Sequence, residues 1–155
     1  MQPYKTRTWL LIADGSRAKV FESVRARNAL HEIDDMALAI DLPKSGEILA
    51  DKPGRTFDSV GAGRHAKENP TDPHRHLKRN FASKVVGELR RAMLANRFDR
   101  LILVAPPAFL GDLREELPKN LKDKVADEIT SDLTNTPEQQ LQTHLKDILG
   151  RSTSS

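Results

Sequence analysis

The stretch DRLILVAPP, residues 99–107, limits the folds open to this chain more than any other. Leu101 to Ala105 are apolar without alternation, so a strand there needs cover on both faces, and Pro106-Pro107 ends it. A strand buried on both sides belongs to a sheet with helices above and below it. With 155 residues the chain fits one domain, and such a globule buries roughly 70% of its unfolded surface, enough to fold without metal or disulfide. The absence of cysteine excludes disulfide frameworks, zinc ribbons and thiol catalysis.

The remaining pattern predicts the partners of that strand. TWLLIAD (8–14) and RAKVFESVR (17–25) flank Asp14-Gly15-Ser16, a tight turn in which Gly15 can take positive φ, which makes a β-hairpin. ALHEIDDMAL (29–38) adds a third strand. Residues 41–73, rich in proline and glycine, read as a long loop, with one short strand at RTFDSV (55–60). The longest helix is expected to begin at Asp72 as N-cap with Pro73 at its first position. Leu77, Phe81, Val85, Leu89 and Met93 give it one buried face as far as Arg97. At ~100° per residue, Arg75, Arg79, Arg90 and Arg97 fall within an arc of about 60° beside that face. AFLGDLREEL (108–117) reads as a helix, and KVADEITSDL (124–133) as a strand or a helix. TPEQQLQTHLKDIL (136–149) is a helix with Pro137 at its start and Gly150 after it, and 151–155 read as a disordered tail. The expected fold is one α/β domain over 1–150, a mixed sheet of about five strands, antiparallel first and then parallel, flanked by helices.

Charge is concentrated in the middle of the chain. Residues 52–100 carry 12 Lys/Arg against 5 Asp/Glu and three of the five histidines, while the flanking thirds are slightly acidic. A basic segment on an acidic body points to a polyanionic partner. Within it, NPTDPHRHLKRNF (69–81) sets His74, Arg75, His76, Lys78 and Arg79 on the first turns of the long helix, where unpaired N–H groups and the dipole already favour an anion. An ordinary solvated helix start is the competing reading. A metal on His74 and His76 is disfavoured, since residues i and i+2 of a helix point ~200° apart. GAGRHA (61–66) matches a relaxed dinucleotide fingerprint, but KENPTDP follows where an unbroken helix is required. Asp14, Asp58 and Asp99 are candidates for a carboxylate centre of a metal-dependent hydrolase; Asp14 and Asp99 are better explained as turn and boundary residues.

WLLIADGSRAKVFE (9–22), GRTFDSVGAGRHA (54–66), TDPHRHLKRNFASKVVGEL (71–89), FDRLILVAPPAFLGDLREEL (98–117) and VADEITSDLTNTPEQQLQTHL (125–145), in this order, resemble the bacterial host attachment protein family. The resemblance implies a requirement in attachment to host cells. It also implies kinship with the central domain of archaeo-eukaryotic peptide release factors, with a ribonuclease-H-like α/β fold. There a Gly-Gly-Gln loop precedes a long basic helix. Here the loop is SVGAGRHAKENPTDPH, and Gly-Gly-Gln occurs nowhere in the chain, so what the resemblance implies is RNA or ribosome binding and not peptidyl-tRNA hydrolysis.

The expectation is therefore a non-catalytic module with RNA or the ribosome as partner, a protein partner being the alternative, and no metal or cofactor. Arg55, Arg64, His65, His74, Arg75, His76, Lys78 and Arg79 are the expected anion contacts. Asp58, Gly61, Gly63 and Asp72 are expected to shape the site, Asp72 by capping the helix. The apolar run before Asp14 is too short for a signal peptide, and no run approaches the ~20 residues of a membrane span, so no membrane insertion and a cytoplasmic location are expected.

Overall fold

A computed structural model describes residues 6–24, 29–43 and 73–153. The strand at 55–60 and the candidates Arg55, Asp58, Gly61, Gly63, Arg64, His65 and Asp72 lie outside the described residues. Strands β1 (Arg7–Ala13), β2 (Arg17–Val24), β3 (Ala29–Glu32) and the two-residue β4 (Leu38–Ala39) precede helix α1 (Arg75–Leu94). Strand β5 (Arg100–Ala105), helices α2 (Pro107–Glu116) and α3 (Lys119–Lys122), strand β6 (Val125–Thr130) and helix α4 (Glu138–Thr153) complete the domain. Among the described residues the sheet has six strands, in the order β3-β2-β1-β5-β6 with β4 pairing to β2 off this path. β1, β2 and β3 run antiparallel, while β5 lies parallel to β1 and β6 parallel to β5. This order is compatible with a ribonuclease-H-like arrangement.

The unbroken apolar run forms β5, which is central, and both its faces are covered. Leu101, Leu103 and Ala105 join Trp9, Leu11 and Val20 beneath α1, α2 and α3, through Phe81, Val85, Leu89, Phe109, Leu113 and Leu121. Ile102 and Val104 join Leu10, Ile12 and Phe21 against Leu141, Leu145 and Ile148 of α4. Each such large side chain contributes about 1.5–3 kcal/mol through removal from water. KVADEITSDL resolves as a strand over Val125–Thr130, because its register beside β5, from Leu101↔Val125 to Ala105↔Thr130, extends the sheet.

Four local features differ from the sequence-based expectation, each for a physical reason. α1 starts at Arg75, with His74 as cap; the His74 carbonyl accepts the Lys78 N–H at 2.9 Å and Pro73 lies outside the helix. It ends at Leu94, not near Arg97, because Asn96 adopts φ 58°. The Asn96 and Arg97 N–H groups then return to the carbonyls of Met93 and Ala92 at 2.9 and 3.0 Å, a Schellman closure. Gly150 does not end α4: no glycine among the described residues has positive φ, and the helix runs on to Thr153, so 151–153 are helical and not part of a disordered tail. Gly15 likewise does not use positive φ. A Cβ there would lie 2.4 Å from Lys78 Cγ, so the glycine makes room for the Lys78 stem to lie against the hairpin turn.

Candidate nucleic-acid interface and the cleft beside it

Parallel strands aim their carboxyl ends, and the loops that follow, at one edge of the sheet, and this is where α/β folds form ligand crevices. Here β1 is followed by Asp14, β5 by Pro106 and β6 by the loop holding Asp132 and Thr134. Asp14 Oδ1 accepts the Ser16 and Arg17 N–H groups at 2.8 and 2.9 Å and so ties the hairpin turn. Its Oδ2 accepts the Thr134 hydroxyl at 2.7 Å, which fastens the β6–α4 loop over the turn. Burial pushes the Asp14 carboxyl up, but hydrogen bonds from the Ser16 N–H, the Thr134 hydroxyl and the Arg17 N–H outweigh it and hold it below its ordinary range. A cleft of ≈ 250 Å³ opens beside Asp14, lined by Ser16 and Asp132, by Arg75 and Lys78 of α1, and by Pro106, Ala108 and Phe109.

The five described candidates on α1 divide between two surfaces. Arg75 turns inward and forms an ion pair with Asp112, whose side chain is 5% exposed. Lys78 also faces inward, its stem against Gly15. His74 is half-buried at the cap. His76 and Arg79 are on the outward side, with His76 Nε2 3.3 Å from Asn80 Nδ2. Arg97, expected on the basic flank, has left the helix: its guanidinium lies 5.1 Å from the Trp9 ring centroid and bonds both Asp35 oxygens at 2.9 and 3.0 Å.

The cationic face of α1 therefore keeps Arg79 and Arg90 of the flank drawn on the sequence, loses Arg75 and Arg97, and is centred further from the sheet. His76, Arg79, Lys84, Arg90 and Arg91 fall within an arc of about 140° on the side away from the sheet. Between them stand only Asn80, Ser83, Gly87 and Leu94, and the one acid nearby, Glu88, meets Arg91 at 3.7 Å. Exposed pairs of this kind neutralise little. Among the described residues Arg79, Lys84 and Arg90 have no ion-pair partner.

Asp14 and Asp99 do not form one carboxylate centre. Asp99 precedes β5 at the opposite end of the sheet, where its Oδ2 accepts the Arg7 N–H at 2.8 Å. A seven-residue strand separates the two ends, about 20 Å at the usual rise. Among the described residues no group of three His, Asp or Glu side chains could hold a metal ion, and no helix is long and apolar enough to cross a membrane. Asp112 is the site residue that sequence reasoning missed. Its signal is legible in hindsight, since it falls on the same helical face as Phe109 and Leu113, where a lone acid requires a cationic partner.

Among solved structures, a crystal structure of archaeal translation termination factor is similar to the chain, with TM-score 0.48 and 12% sequence identity. The match covers 94% of this chain and 39% of that one. No curated protein matches. The family model described as "Protein required for attachment to host cells" matches residues 9–145, a span that includes Trp9 of β1, the whole of β5 and its helices, and Leu145 of α4. A match over that much of the sheet and both helical layers places the chain in this family of proteins required for attachment to host cells.

Proposed function

We propose that this family member acts in the cytoplasm as a non-catalytic module that binds RNA, free or in the ribosome, through the outward face of α1. One observation carries the reading: Arg79, Lys84, Arg90 and Arg91 share that face with a single acid, Glu88. Of these, Arg79, Lys84 and Arg90 can neutralise phosphates without giving up an ion pair among the described residues, and the small residues between them let a backbone lie close to the helix. The attachment role then follows indirectly, from what the bound RNA does.

The test is co-sedimentation with ribosomes, and anisotropy with a structured RNA, across a salt series. The variant to compare is Arg79→Ala/Arg90→Ala, because Arg75 is engaged with Asp112. The expected result is binding that weakens steeply with salt and, in the variant, loses about two phosphate contacts from the salt slope. Absence of binding at low salt, with salt-insensitive capture of a protein instead, would replace this reading with a protein-interaction module.

A further inference from the structure

We propose that the cleft at the carboxyl ends of β1, β5 and β6 binds a phosphorylated ribose, its phosphate beside Arg75 and Lys78 and its hydroxyls toward Asp14 and Asp132. The cleft faces away from the cationic surface of α1, so this inference does not depend on the RNA reading. The lining carries both charges: Arg75 and Lys78 come from the helix, Lys78 with its stem against Gly15, and Asp14 and Asp132 from the hairpin and loop. A simple anion would be drawn to one pair and repelled by the other. A ligand with an anion at one end and hydroxyl donors at the other satisfies both.

The helix side is prepared for phosphate in three ways. A guanidinium has five N–H donors, and Arg75 gives one nitrogen to the deeply buried Asp112, which fixes its direction and leaves other donors for a ligand. α2 starts at the same edge, and its first turn closes with the Leu110 N–H donating to the Pro106 carbonyl at 2.8 Å. The N–H groups of Ala108 and Phe109, both lining the cleft, precede that bond. Neither α1 nor α2 has an acidic side chain in its first turn, so neither helix start sets a carboxylate of its own against an incoming anion. From the hairpin and loop, the Ser16 hydroxyl and the carboxylates of Asp14 and Asp132 accept hydrogen bonds. At ≈ 250 Å³ the space falls below the roughly 300–1,000 Å³ of drug-sized pockets, which favours one phosphorylated sugar over a dinucleotide.

The phosphorylated ribose can be a free nucleotide or the phosphorylated end of an RNA chain. The experiment is amide chemical-shift titration of the full chain with inorganic phosphate, ribose 5-phosphate, adenosine monophosphate, and short RNAs with and without a terminal phosphate. Expected are saturable shifts at Gly15, Ala108 and Phe109, with ribose 5-phosphate binding at least about tenfold tighter than inorganic phosphate, the worth of one or two added hydrogen bonds. Lys78→Gln should weaken ribose 5-phosphate about tenfold or more. Asp132→Asn, at an exposed loop position where the amide oxygen can still accept the Thr134 N–H and hydroxyl that Oδ1 accepts at 3.3 and 2.8 Å, should weaken ribose 5-phosphate and leave inorganic phosphate unchanged. Tightest binding by phosphorylated RNA assigns the cleft to a chain end, and tightest binding by adenosine monophosphate assigns it to a free nucleotide. No shift with any probe overturns the proposal. Equal binding of phosphate and ribose 5-phosphate, or an Asp132→Asn variant indistinguishable from the parent, overturns it as well.

Discussion

Replacing Arg75 by Met should destabilise the protein more than replacing its partner Asp112 by Leu, although both changes break the same ion pair. The asymmetry comes from what each change leaves behind. Asp112 is 5% exposed, and its Oδ2 has no hydrogen-bond partner among the described residues even with Arg75 present. Without Arg75 it becomes a carboxylate buried alone between α1 and α2, a situation that costs about 3–5 kcal/mol. The Arg75 side chain is 24% exposed, so without Asp112 it can swing its guanidinium toward the cleft and water. Asp112→Leu is therefore expected to cost only about 1–2 kcal/mol, the scale of one charge-assisted hydrogen bond, offset in part by the apolar contact Leu makes beside Phe109 and Leu113. The double variant removes both charges and should lie closer to the parent than Arg75→Met does, since an apolar pair of similar volume often replaces a buried ion pair without loss. Urea unfolding of the four proteins at pH 7 gives the cycle. In thermal melts the Arg75→Met deficit corresponds to a Tm lower by roughly 10 °C for a chain of this length. Equal losses in the two single variants, or a double variant less stable than Arg75→Met, would refute this account of the pair.

Three further outcomes follow from local geometry. Gly15→Ala sets a Cβ 2.4 Å from Lys78 Cγ, so it should cost about 1–3 kcal/mol, and Lys78→Ala in the same chain should recover most of that in a denaturation cycle. Gly87 lies mid-helix, and a methyl group added there would meet nothing within 4 Å, so Gly87→Ala should raise stability by about 0.5–1 kcal/mol and leave the exposed cations in place, read as a higher urea midpoint at unchanged slope. Asp14 has a folded pKa held below its ordinary value of 3.8, so its ionised form adds stability that is present above that value and lost as pH falls through the lower, folded one. Asp14→Asn should accordingly be less stable than the parent at pH 6, with the gap closing below about pH 4 in urea titrations; a gap constant from pH 6 to pH 2 would count against the hydrogen-bonded carboxylate.

What could be decided from sequence alone was whatever depends on neighbours along the chain. An unbroken run from Leu101 to Ala105 requires cover on both faces wherever it sits, and recurrence of Phe81, Val85, Leu89 and Met93 marks a buried helical face without reference to what covers it. The strand β6 was ambiguous because VADEIT is half-exposed at the sheet edge and has no strong period; pairing with β5 supplied the missing preference. The direction of a cation, by contrast, depends on where an acid from another element lies. Arg75 turns inward because Asp112 arrives from 37 residues away, and Arg97 turns aside because Asn96 ends the helix and Asp35 meets it from the segment between β3 and β4. Helical periodicity gives the angle of each arginine about the axis but not its partner, so of the four arginines set on one flank Arg79 and Arg90 stay exposed while Arg75 and Arg97 turn to acids. The cleft is likewise a product of tertiary structure, since Asp14, Arg75, Pro106 and Asp132 meet only when β1, β5 and β6 end at one edge and α1 packs across the hairpin.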